Sequence, residues 1–169
     1  MDVTELIRQL EIDAERFRAL VASLSDEQAK WRPDAQAWSL LEMVCHLHDE
    51  EMLDFRVRID TILHHPGAEV PSIDPLGWVS EHHYAERDLQ AELAGFIAER
   101  QKSITWLKSL AAPDWEASYQ APWGSIRAGD IFAGWLAHDL LHMRQLLELH
   151  WAYLNQHCAP YSTMYGGEW

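Results

Sequence analysis

Apolar residues recur with a helical period over four long stretches of the chain, and each stretch predicts an amphipathic helix. The first runs from about Asp2 to Leu24. Val3, Leu6, Ile7, Leu10, Ala14, Phe17, Leu20, Val21 and Leu24 follow its stripe, and Asp2 is placed to cap it. The second begins at Ser39, which forms a capping-box pattern with Glu42, and continues to about His65, where Pro66 and Gly67 stop it. It carries two stripes, one through Leu40, Val44, Leu47, Phe55, Ile59 and Ile62, the other through Met43, His46, Leu53 and Val57. Two stripes predict two neighbours, as in a bundle. The third helix runs from about Ala85 to Leu110, and Arg100 falls inside its apolar stripe. The fourth runs from about Ala128 to Asn155.

The connections differ in length. Residues 25–38 open with a Ser25/Gln28 capping pattern that predicts one helical turn, ended by Pro33. Residues 66–84 and 111–127 are long, Pro- and Gly-containing loops, and no period-2 strand is expected in either. The tail from Gln156 to Trp169 carries Tyr161, Tyr165 and Trp169, which predicts that it docks on the body. The expected architecture is one domain over residues 1–169: an all-α four-helix bundle with long connections between helices two and three and between helices three and four.

Composition narrows the function classes. With 48% hydrophobic residues in 169, the chain can bury a core, which excludes global disorder. Thirteen basic against twenty-seven acidic residues leave a net charge of −14, which repels nucleic acid and anionic lipid. Two cysteines, Cys45 and Cys158, make neither a disulfide framework nor a cysteine-type zinc site. The N-terminus is charged from its first residues, and no apolar run approaches the ~18 residues of a membrane span. A cytoplasmic protein without membrane or nucleic-acid partners is expected.

Candidate chemistry lies among the ten histidines. His138 and His142 sit one turn apart, about 40° from each other, on the core face of the fourth helix, and such a pair can bind one metal ion. The second helix offers a third ligand, but His46 and His48 lie about 200° apart, and spacing does not choose between them. Glu50, one turn beyond His46, is a candidate fourth ligand, general base or acceptor for a ligand. Gln145, one turn beyond His142, is a candidate for orienting a ligand or water. Asp139 points about 100° away from His138 and reads as a contact to a neighbouring helix, with Arg100 more readily a structural ion-pair partner than a substrate contact. A di-iron carboxylate bundle is excluded because no glutamate has a histidine three residues on, and the zincin pattern fails because Asp139 follows His138. The remaining histidines read as structural, although His82 and His83 make a possible adventitious metal site in the loop.

Trp38-Ser39 with Glu42, His46-Leu47, Asp49, Glu50 and Arg56 resembles the second helix of the DinB/YfiT-like proteins. The run His138-Asp139-x-x-His142-x-x-Gln145 with Gly124 before it, Phe96 and Arg100 on the third helix, and the ending Tyr165-Gly166-Gly167-Glu168-Trp169 are similar to that family as well. The resemblance implies a four-helix bundle with one divalent transition metal, zinc or nickel, on His46, His138 and His142. It also implies a metal-dependent enzyme of hydrolase type, or a transferase or isomerase using a low-molecular-weight thiol. One departure is visible: Arg127-Ala128-Gly129-Asp130 stands where the family often has Thr or Ser capping the fourth helix.

Three histidines leave a coordination position open, which is the pattern of catalytic rather than structural sites. The leading expectation is an enzyme acting on a small molecule, with Glu50 and Gln145 as assisting residues. The alternative is a non-catalytic metal-binding bundle; in either case a homodimer is expected.

Overall fold

In a computed structural model of the chain, residues 2–122 and 124–169 are described. The four long helical stretches are present: α1 (Val3–Val21), a second rod made of α3 (Leu40–Leu53) and α4 (Phe55–His64), α6 (Leu89–Ser109) and α7 (Ala128–His157). A short α2 (Asp26–Lys30) leads into α3, and α5 (Pro75–Glu81) stands in the first long connection. The caps follow from the sequence. Asp2 accepts from Glu5 N at 3.1 Å, and Asp88 accepts from Ala91 N at 2.8 Å. Ser39 and Glu42 complete a reciprocal capping box. Each satisfies amide groups that a helix start leaves without a partner.

Three features depart from expectation. The second helix is not continuous: Asp54 leaves the helical region (φ −113, ψ −94), and the chain bends there into α4. The second long connection contains an antiparallel hairpin, β1 (Ser118–Ala121) with β2 (Gly124–Arg127), in the register Tyr119 to Ile126. Strands of four residues that are mostly half-exposed carry too little alternation to register as a period-2 signal. The tail docks through Trp169, which stacks on Trp151 at 5.2 Å, and through a hydrogen bond that Thr163 donates to Asn155, while Tyr161 and Tyr165 stand in solvent.

The atypical start of α7 is explained by this hairpin. Ala128 N donates to Ala117 O at 2.9 Å and Gly129 N to Trp115 O at 3.0 Å. Backbone carbonyls of the strap before β1 thus do what a Ser or Thr side chain would do elsewhere. Asp130 adds a bond back to Arg127 N at 3.1 Å.

Around the bundle, α1 packs on α6 and α7, and the α3–α4 rod packs on the same two helices from the other side. The core is divided along its length. One apolar half gathers Phe17, Leu40, Leu47, Phe96 and Leu146; the other gathers Leu10, Ile59, Ile104, Phe132 and Trp135. At mid-height each rod contributes buried polar groups: Asp13 from α1, Glu50 and Glu51 from α3, Arg100 and Ser103 from α6, and Asp139 and His142 from α7. Buried polar groups are stable only when paired, so this layer is where chemistry is to be sought.

Candidate metal centre

The layer holds two constellations side by side. The first is ionic. Arg100 is 1% exposed and clasps Asp139 through Nη1–Oδ2 at 2.5 Å and Nη2–Oδ1 at 2.9 Å. Its Nη2 also lies 2.9 Å from Glu51 Oε2, which accepts from Trp135 Nε1 at 3.1 Å. Burial works against the charge on Arg100, but the two carboxylates outweigh it and raise its pKa. The anomaly in the third-helix stripe is therefore a buried ion triad tying α3, α6 and α7 together. Glu51, one member of an acidic run, gave no signal of this role, because its burial depends on how the helices face each other.

The second constellation is the histidine cluster. His142 Nε2 lies 2.9 Å from His138 Nε2 and 3.2 Å from His46 Nε2. The three residues offer ligand atoms that all fall within 4.8 Å of one another. The rotation of α3 places His46 here and His48 on the opposite side, where His48 Nδ1 is 2.8 Å from Glu92 Oε2. His48 also presses on α6 at Gly95, where an added Cβ would come within 2.3 Å of its ring. That contact requires glycine. His82 is likewise engaged: its Nδ1 lies 2.6 Å from Asp49 Oδ2, which also accepts from Tyr84 at 2.7 Å. His82, read as structural with a bare capacity for adventitious metal binding, is thus part of a clamp holding the loop on α3. Cys45 is buried among these groups, and burial pushes its thiol up to about 12.

All three imidazoles of the cluster are neutral. Burial, with the neighbouring His142, lowers His46 to about 3; burial, with both partners, lowers His138 to about 2; burial lowers His142 to about 4. Each neutral ring has one lone pair, and three Nε2 atoms facing one another cannot all be satisfied by donating to each other. A cation between them resolves the conflict. Nitrogen ligands about 2.0–2.1 Å from one tetrahedral ion sit roughly 3.3 Å apart, close to the separations found. His46 Nδ1 is buried and has no hydrogen-bond partner among the described residues, and the same holds for Gln145 Oε1. The donor set fits a borderline-soft divalent ion.

The surroundings assign the neighbours. Glu50 Oε1 lies 4.0 Å from His46 Nδ1, on the side of the ring away from the cluster. Burial, together with Asp54, pushes Glu50 up to about 8, so it holds its proton at neutral pH. Met43 Sδ sits 2.9 Å from His142 Nδ1. Trp38 packs at 5.1 Å on His46 and Phe55 at 5.0 Å on His138. Met43 shares a stripe with His46, which is the one trace of its role in the sequence.

Two cavities, each of about 700 Å3, reach the cluster from different sides. The first touches His46, His142 and Gln145 and is walled by Trp38, Met43 and Leu149. The second touches His138 and lies between α4, α7 and the hairpin, with Phe55, Arg58, Tyr119 and Leu141 in its wall.

The fold and this cluster define a four-helix-bundle protein with three histidines converging at mid-height. The DinB superfamily model matches residues 9–146, and the chain belongs to that superfamily. Among solved structures, YfiT from Bacillus subtilis, described as a probable metal-dependent hydrolase with an unusual four-helix bundle topology, matches with a TM-score of 0.77. The identity is 18%, over 87% of this chain and 85% of YfiT. No curated protein matches the chain. Among the described residues, no helix is long and apolar enough to cross a membrane.

Proposed function

We propose that the chain is a metal-dependent enzyme that holds one divalent ion, zinc or nickel, on His46, His138 and His142 and acts on a small molecule. The observation that carries this reading is the convergence of three neutral Nε2 atoms at 2.9 and 3.2 Å, with a cavity on either side. The description of YfiT as a probable metal-dependent hydrolase supports it. A closed structural site would have protein atoms where the cavities are, which is why a catalytic role is favoured over a bracing one.

When bound, such an ion supplies Lewis-acid polarisation and a water or small thiol that is deprotonated near neutral pH. The chain's own residues do the rest. Glu50, protonated, faces His46 Nδ1 and holds a proton within one residue of the centre. Gln145 lines the first cavity beside His142, and its buried carboxamide oxygen, without a hydrogen-bond partner among the described residues, is the group placed to orient a bound nucleophile or substrate. Trp38, Met43 and Phe55 wall the centre with apolar surface.

The cavity linings also speak to the substrate. Arg58 is the one arginine or lysine among the lining residues, and it is closed on Asp54. Apart from the candidate metal position, the lining residues offer no unpaired cation to a ligand.

Metal content of protein purified without an affinity tag tests the proposal. About one ion per chain is expected, and its absence would sink the reading. A screen of ester and amide hydrolysis against thiol transfer, with His46→Ala as blank, then separates the two reaction types.

A further inference from the structure

Glycine inside a helix needs a reason, because it is the least favourable residue there after proline. Gly77 and Gly95 have one in the side chains pressed against them, Asp74 and His48. Gly129 has one in Trp115 O, which an added Cβ would meet at 3.1 Å. Gly134 has none within the chain. It stands two turns into the 30-residue α7, and a Cβ built on it would meet nothing within 4 Å. What it does border is the second cavity, whose wall it helps to form.

Gly134 lies one turn before His138 on the face of α7 that borders this cavity. Ile131 and Leu141 close the two ends of that face, so the glycine leaves a hollow beside the candidate ligand. Phe55 from α4 and Tyr119 and Ile126 from the hairpin line the same space. Its charged groups are closed on partners: Arg58 on Asp54, and Asp130 on Arg127 at 2.8 Å. The surroundings of the hollow are thus largely apolar, and a cavity of about 700 Å3 is of the size that encloses a small-molecule ligand.

We propose that Gly134 is a specificity-determining residue: the room left by its missing side chain receives an apolar group of ring size, such as an aryl group, while the polar head of the same molecule reaches the ion at His138. This rests on the metal-dependent reading above and adds to it the shape of the substrate, a metal-binding head with a compact apolar body on the side of α4 and the hairpin. A helix face without a Cβ lets a ring lie against the backbone, and a branched side chain at the same position would fill the space the ring needs. The reason for the glycine is then found in the bound state and not in the fold.

Gly134→Ala and Gly134→Leu test this in the full chain. Both place a better helix former at an unobstructed position, so both should melt at or above the native temperature. A lower melting temperature for Gly134→Ala would show that the fold itself uses the glycine and would overturn the proposal, whatever the histidines bind. Ligand shape is read from the visible spectrum of cobalt(II)-substituted protein titrated with two hydroxamates that share one metal-binding head. Benzhydroxamate should bind the native protein more tightly than acetohydroxamate. Gly134→Leu should weaken benzhydroxamate by at least about tenfold and leave acetohydroxamate within about twofold. A native protein that binds the two alike, or a Gly134→Leu variant that weakens both equally or neither, would overturn the proposal while leaving the metal reading intact. A native protein that takes up no cobalt would overturn both.

Discussion

Arg100 and Asp139 form a buried two-pronged ion pair at 2.5 and 2.9 Å, and Asp139 is the residue next to His138. The pair therefore anchors α7 against α6 at the height of the histidine cluster, and Glu51 extends it to α3, the helix of His46. Positioning of the candidate ligands and stability of the bundle are carried by the same triad.

Removing the arginine leaves two buried carboxylates without their counter-ion. Arg100→Met is expected to destabilise the fold by about 3–5 kcal/mol, measured by urea denaturation. Metal retention should weaken in the same variant, because the pair with Asp139 anchors α7, the helix of His138 and His142, against α6 at the height of the cluster. A loss below about 1 kcal/mol would show that the triad is not what joins the helices.

The histidines are not equivalent. His142→Ala and His46→Ala should each lose the metal, whereas His48→Ala should retain it, because His48 faces Glu92 and Gly95. Elemental analysis of the purified variants checks this. Metal loss in His48→Ala with retention in His46→Ala would reverse the assignment.

Acid should undo the metal-free centre. In the unfolded chain the histidines take up protons near pH 6.5, but in the folded chain only near pH 2–4. Between those limits the unfolded state binds more protons, so stability is whole above pH 6.5 and falls as pH drops. Each buried histidine should cost at most about 2 kcal/mol by pH 5. Chelator-treated protein denatured at pH 7.5 and 5.0 gives the comparison, and equal stability at both would contradict the burial of neutral rings.

Glu50 predicts the opposite slope. Its folded pKa of about 8 exceeds its ordinary 4.5, so the folded state keeps a proton that the unfolded state releases. Its contribution is present below pH 4.5 and is lost as pH rises towards 8. Glu50→Gln, which cannot ionise, should therefore stabilise the metal-free protein at pH 7 by up to about 3 kcal/mol, the gain vanishing towards pH 4.5. A destabilised Glu50→Gln at pH 7 would mean that Glu50 is ionised in the folded protein.

Much of this arrangement was legible in the residues. Capping patterns at Asp2 and Ser39 marked helix starts that the structure keeps, because a cap is a local bond between residues three apart. The bend at Asp54 and the hairpin at residues 118–127 were not legible. The apolar stripes run through the bend unbroken, and four-residue strands are too short to show a period. Glu51 and Met43 were missed as neighbours of the polar layer for a related reason: their partners come from α6 and α7, far along the chain.

By itself the sequence determined the four helical rods, the face each rod buries, and the placing of His138 and His142 one above the other. All of these follow from angles within a single helix. Which histidine of the second helix meets them was left open by spacing and named only by the family resemblance; the tertiary structure decides it physically, because periodicity does not define how one helix is rotated against another. That rotation is set by side-chain packing between helices: Gly95 receives His48 on α6, and His46 is thereby turned inward to His142.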